Sequence, residues 1–192
     1  MESVNRVIQY LQGTRNHSIR YTIDRHGGEV YAVANDAAYS DHPDRKSSEG
    51  YICLLYRGAI DRKAGKQKTV TTSTTEAELL AISGAAKNIY WWKRLFASIG
   101  FDPEHQISIL CDNLQTVDLL TSDELKVRTK LRHVDIHQHW LRQEVQAGCV
   151  SIRWIKTSEM PADGLTKILP RQKHYEFMRQ IGLVDPDRDQ SI

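Results

Sequence analysis

Residues 68–100, KTVTTSTTEAELLAISGAAKNIYWWKRLFASIG, change their period partway along. KTVTTST (68–74) is rich in β-branched residues and reads as a strand. From about Glu76 to Ser98 the apolar positions Leu79, Ile82, Ala86, Ile89, Phe96 and Ile99 recur at three- and four-residue steps, one face of a long helix that Gly100 ends. A strand giving way to a helix here separates an α/β chain from an all-β one. Upstream, EVYAVAND (29–36) and GYICLLYRGAI (50–60) read as two more strands, and the short polar or glycine-containing links predict an antiparallel meander of three.

Downstream, strands alternate with helices. ISILCD (107–112) is short and Ile-rich, a buried strand, and a brief helix follows over about Leu114–Leu120. A further helix runs from about Arg132 to Ala147 and is closed by Gly148. VSIRWIK (150–156) reads as the last strand, and PADGLTKIL (161–169) as a terminal helix with Pro161 at an early position. The order βββαβααβα predicts an α/β fold: a five-stranded mixed sheet, three antiparallel strands and then parallel ones, flanked by helices. Ahead of it, ESVNRVIQYLQ (2–12) carries Val4, Val7, Ile8 and Leu11 at helical spacing, an amphipathic helix that needs a partner, and DPDRDQSI (185–192) is expected to fray.

Composition narrows the classes. With 192 residues and 40% hydrophobic side chains the chain can bury a core, which argues against disorder. A formal charge of only +2 excludes coating of nucleic acid by bulk charge, so any polyanion contact must be local. Cys53, Cys111 and Cys149 are odd in number, far apart and set in apolar runs, which suits reduced buried thiols and an intracellular protein. No leader pattern opens the chain and no apolar run approaches the roughly 18 residues that span a membrane.

Four carboxylates lie at element ends: Asp36 after the first strand, Glu78 in the first turn of the long helix, Asp112 after the fourth strand and Asp163 at the start of the last helix. The carboxyl ends of strands in such sheets are where ligand sites form. Clustered carboxylates repel one another and raise one another's pKa, so they are tolerated chiefly around hard divalent cations, and oxygen-rich sites suit Mg²⁺ or Mn²⁺. Two such ions roughly 4 Å apart can stabilise the attacking and leaving oxygens of a phosphodiester displacement, the chemistry of a nuclease. Each residue also has a plainer reading. Asp36 can start a turn, Asp112 can cap the next helix, Thr75-x-x-Glu78 can form a capping box and Asp163 can complement a helix dipole. Glu76 and Glu78 differ by roughly 200° on a helix and cannot share a face. Glu78 falls roughly 50° from the apolar centre and Glu76 about twice as far, which favours Glu78.

Taken in order, NDAAYSD (35–41), RKSSEGY (45–51), TTSTTEAELLAIS (71–83), ILCDN (109–113), RTKLRHVDI (128–136) and MPADGLTK (160–167) resemble the ribonuclease H domain of copia-type (Pseudoviridae) retrotransposon polyproteins. The resemblance covers residues 29–170, and residues 1–24 resemble the end of that element's reverse transcriptase; 171–192 are left as a C-terminal helix and tail. It implies a ribonuclease H-like fold, two Mg²⁺ ions for which Mn²⁺ can substitute, and a metal set of Asp36, Glu78, Asp112 and Asp163. It also implies endonucleolytic hydrolysis of the RNA strand of RNA–DNA hybrids. A reverse transcriptase domain as partner would follow, as would a cytoplasmic, virus-like-particle or nuclear location. Departures are DAAY where the family more often has DADW, so that Ala38 replaces an acidic residue, and DRKAGK after GAI. Where many cellular ribonucleases H carry a loop histidine before the last Asp, TSEM (157–160) offers only Glu159. A catalytically inactive remnant that still binds nucleic acid is the alternative; an integrase or transposase ranks lower because its Glu usually sits on a late helix.

Arg57, Arg62, Lys63, Lys66 and Lys68 cluster near the link between the second and third strands and are candidates for phosphate contacts, or an ordinary solvated loop. Asn113 can read a 2′-hydroxyl or cap a helix. Trp91, Trp92, Lys93 and Arg94 interleave aromatic and basic groups, yet on a core helix at least one Trp is expected to pack. His133 and His137 have zinc-like spacing without a third ligand, and zinc is disfavoured.

Overall fold

A computed structural model describes residues 2–23, 29–103, 107–122 and 132–186. In chain order the elements are α1 (Glu2–Gly13), β1 (Ser18–Ile19), β2 (Tyr31–Ala38), β3 (Ser48–Leu55), β4 (Gly58–Lys66), α2 (Thr74–Ser98), β5 (Ser108–Cys111), α3 (Leu114–Thr121), α4 (Arg132–Gln146), β6 (Ser151–Trp154), α5 (Asp163–Thr166), α6 (Arg171–Gln180) and β7 (Leu183–Val184). Five strands form one sheet in the order β4-β3-β2-β5-β6. The β2–β3 and β3–β4 pairs are antiparallel, while β2–β5 and β5–β6 are parallel. The mixed sheet expected from the sequence is therefore present.

Alternation along β2 distributes its side chains to two faces. Tyr31 and Val33 join Ile82, Ile89, Ile109 and Leu141 in the larger core, whereas Ala32 and Ala34 meet Leu110, Met160 and Ala162 on the opposite side. Fully burying one such Ile or Leu contributes about 1.5–3 kcal/mol, so the α2 side of the sheet dominates stability. Small side chains on the other face let the backbone leading into α5 approach the sheet closely.

Several boundaries differ from the sequence reading. GYICLLYRGAI is not one strand: Tyr56 (φ 48°) and Arg57 (φ 64°) form a two-residue turn, and β4 begins at Gly58, paired with Leu55. Positive φ at two consecutive non-glycine residues is the geometry of a hairpin turn of the primed kind, usually signalled by Asn-Gly, and that signal is missing here. The third strand is thus Gly58–Lys66, and 68–73 is irregular backbone leading into α2. Ile99 is exposed at the end of α2 instead of facing the core. PADGLTKIL yields only the four-residue α5, and the longer terminal helix is α6.

α1 forms as expected, but Val4, Val7, Ile8 and Leu11 are all more than half exposed. Its inner side touches α6 through Tyr10, whose ring lies 5.7 Å from that of His174 and whose hydroxyl is 3.9 Å from Met178 Sδ. β1 pairs with β7, Ser18 opposite Val184, which ties the two ends of the chain together.

Candidate functional site

Asp36 lies near the end of β2 on the face opposite Asn35, directly across from Gly50 of β3. That glycine is required by packing: a Cβ there would stand 2.8 Å from Leu165 Cβ. Its absence lets α5 settle onto the sheet and bring Asp163 toward Asp36. β5 runs parallel beside β2, so Asp112, the residue after β5, reaches the same end of the sheet. Trp154 Nε1 donates to the Asp112 carbonyl at 3.1 Å and fixes that backbone. Among the described residues, Asp36, Asp112 and Asp163 each offer an oxygen within 4.8 Å of the others, with Asp36 buried and the other two half-buried.

Glu78 arrives from the opposite face. Ser73 is the N-cap of α2 and accepts from the Glu76 amide, and Glu76 reaches back to accept from the amide and hydroxyl of Thr72, each at 2.7 Å. Ser73 and Glu76 thus cap the helix in the manner of a capping box, two residues before the Thr75–Glu78 alternative, and Glu78 is released from that duty. Its carboxylate accepts from the Ala37 amide at 3.2 Å and from Asn35 Nδ2 at 3.4 Å. It stands apart from the mutual cluster of three aspartates but close enough to feel them. Burial first, then the charges of Asp36 and Asp112, push its pKa well above 4.5.

Asp36 is likewise raised by burial, an effect opposed by a hydrogen bond from Thr166 and the charge of Lys167. Thr166 Oγ1 donates to Asp36 Oδ2, and Lys167 Nζ lies 3.3 Å from Asp36 Oδ1 and 2.5 Å from Asp163 Oδ1. Burial works against the Lys167 ammonium, yet the Asp163 hydrogen bond and the charge of Asp36 hold its pKa above the ordinary lysine value. The donor set is all carboxylate oxygen with two members open to solvent, which fits a hard divalent cation and not a soft one. The mutual repulsion of carboxylates brought this close is relieved when such an ion binds.

The remaining candidates are dispersed. Arg57 stands in the β3–β4 turn, Arg62, Lys63 and Lys66 lie on β4 and Lys68 follows it, all exposed. Lys63 pairs with Glu49 and Lys66 with Asp44, both at 2.7 Å. Asn113 is the N-cap of α3, its Oδ1 accepting from the Thr116 amide at 3.1 Å. Trp92 packs in the core edge and donates to Asp61 at 3.3 Å, while Trp91 is exposed. His137 Nδ1 is 2.8 Å from the Ser83 hydroxyl; the His133 side chain lies outside the described residues. Sequence reasoning missed Thr166, Lys167 and Asn35. Their signal was adjacency, since ND (35–36) and DGLTK (163–167) carry them beside expected ligands.

The sequence matches no family model. Over 180 residues, 94% of this chain, it is 33% identical to the retrovirus-related Pol polyprotein from transposon TNT 1-94 of Nicotiana tabacum. It is 31% identical over 186 residues to that of transposon RE2 of Arabidopsis thaliana. The chain spans only 13% and 12% of those relatives. Among solved structures, LC11 ribonuclease H1, isolated from compost, is similar with a TM-score of 0.55 at 12% identity, over 72% of this chain and 93% of that one. The foamy viral protease-reverse transcriptase in complex with an RNA/DNA hybrid is similar with a TM-score of 0.51 at 12% identity, over 83% of this chain and 23% of that one.

Proposed function

The chain is a homologue, over most of its length, of Pol polyproteins of plant copia-like transposons and has a ribonuclease H-like fold; from that premise we propose that it hydrolyses the RNA strand of RNA–DNA hybrids endonucleolytically, using two Mg²⁺ ions. The observation that carries this reading is the convergence of Asp36, Asp112 and Asp163 from three separate segments at the carboxyl ends of the central strands. A structural relative is a ribonuclease H1 that has been solved in complex with an RNA/DNA hybrid, which supports the choice of substrate.

Asp36, Asp112 and Asp163 would hold the ions, with Glu78 as the fourth member. Two bound ions supply charge stabilisation to the entering and departing oxygens of the phosphodiester. The chain's own residues prepare for this. Asn35 and the Ala37 amide aim Glu78, Trp154 anchors the Asp112 backbone, and Gly50 admits α5. Arg57 in the β3–β4 turn, Arg62, Lys63 and Lys66 on β4 and Lys68 after it would contact phosphates, Lys63 and Lys66 by exchanging their Glu49 and Asp44 partners; such contacts carry no base information, so sequence preference is weak. Asn113 retains an amide donor for a ribose hydroxyl while its oxygen caps α3. On the same proposal the chain acts inside the cell, beside the reverse transcriptase domain of its element.

A labelled RNA–DNA hybrid incubated with Mg²⁺ tests the reading, beside a DNA duplex and the Asp112→Asn variant. The expected result is metal-dependent cutting of the RNA strand alone, lost by at least about a hundredfold in the variant. Hybrid binding without cleavage, even in Mn²⁺, overturns it in favour of a nucleic-acid-binding remnant.

A further inference from the structure

The carboxylate cluster already holds a cation of the protein's own. Both oxygens of Asp36 are engaged by the end of α5, Oδ2 by the Thr166 hydroxyl and Oδ1 by the Lys167 ammonium, which also bridges to Asp163 Oδ1 at 2.5 Å. The Asp36 side chain is only 2% exposed, so water cannot take over this duty. An ion binding Asp36 must therefore share or displace an oxygen that Thr166 or Lys167 already engages. It must also face an ammonium a few ångströms away, and like charges so close in a half-buried site repel strongly. The Lys167 side chain is 40% exposed, which gives the ammonium an open route to solvent.

We propose that Lys167 is an intramolecular competitor of the divalent ion: a positioning residue that clamps Asp36 to Asp163 in the metal-free protein and is expelled as the ion binds. The inference rests on the reading of these carboxylates as a metal site. It assigns the Thr-Lys end of α5 a role in setting how much metal the site demands, and it makes the metal-free and metal-loaded arrangements alternative states of one cluster.

Titration of the full chain with Mn²⁺ by calorimetry tests this in the absence of substrate. Lys167→Met and Lys167→Gln should bind Mn²⁺ about tenfold more tightly than the parent, whereas Lys167→Arg, which keeps the charge, should bind like the parent. In chelator the two neutral variants should melt at lower temperature than the parent, because the aspartates lose their counter-ion. A folded neutral variant with parental affinity overturns the proposal. The unmodified protein supplies a test that needs no variant: the Lys167 ammonium resonance, slowed by its two carboxylate contacts, should be lost as Mg²⁺ saturates the site. Its persistence at saturation overturns the proposal as well. Failure of the metal reading itself gives a different pattern, with no Mn²⁺ uptake by parent or variants and no change on Asp112→Asn.

Discussion

At the residue scale, Glu78 shows how neighbours decide a side chain's role. Two glutamates stand two residues apart at the start of α2; one is consumed in closing the helix end on Thr72, and the other is left facing Asn35 and the sheet. Because burial and the nearby aspartates raise its pKa, the proton it binds stabilises the metal-free fold. That contribution is fully present below 4.5 and is lost as pH rises through the raised folded value. Glu78→Gln removes the Glu78 share of the dependence and leaves that of Asp36, so in chelator the variant should gain thermal stability relative to the parent as pH is taken from about 5 to about 8. Melting curves at a series of pH values check this, and parallel curves refute it. The wheel position of Glu78 was legible in the sequence because helical period is a local property. Lys167 was not, because nothing in the order of residues tells that a lysine four positions after Asp163 turns back onto it and reaches Asp36 across the fold.

At the element scale, short pieces depend on their seats. α5 has four residues, too few to be stable alone, and is held between β3 and α6. Gly50 supplies one wall by lacking a side chain, and Gly164 lies where a Cβ would collide with the Phe177 ring. Gly50→Ala should lift α5 off the sheet, cost about 1–3 kcal/mol and weaken Mn²⁺ binding, since Asp163 and Lys167 ride on that element. Denaturant unfolding and calorimetry on one preparation read both effects; intact affinity would show that α5 adjusts without moving its carboxylate. Elements with a strong period, α2 and α4, were read close to their true extent. The β3–β4 hairpin was not, because Tyr56 and Arg57 adopt left-handed backbone that neither residue type announces, and α5 was overextended because a stretch with helical chemistry ends at its tertiary contacts.

For the whole molecule, the sheet order followed from alternation of strands and helices, whereas the joining of the chain's two ends did not. β1 and β7 pair over two residues each, a signal far below any sequence period. The stripe Val4, Val7, Ile8 and Leu11 contributes little to this fold because it remains in water. Val7→Ser combined with Leu11→Ser should therefore leave unfolding free energy within about 0.5 kcal/mol of the parent, as measured by urea denaturation. A larger loss would mean that the stripe packs in solution. The aspartates around which the proposed chemistry turns sit at positions remote along the chain, and the last of them rides on the one-turn helix latched over Gly50. Amide hydrogens in that latch should exchange through brief local opening, well before global unfolding, so a deuterium label would see the chain's working end loosen while the sheet beneath it stays closed.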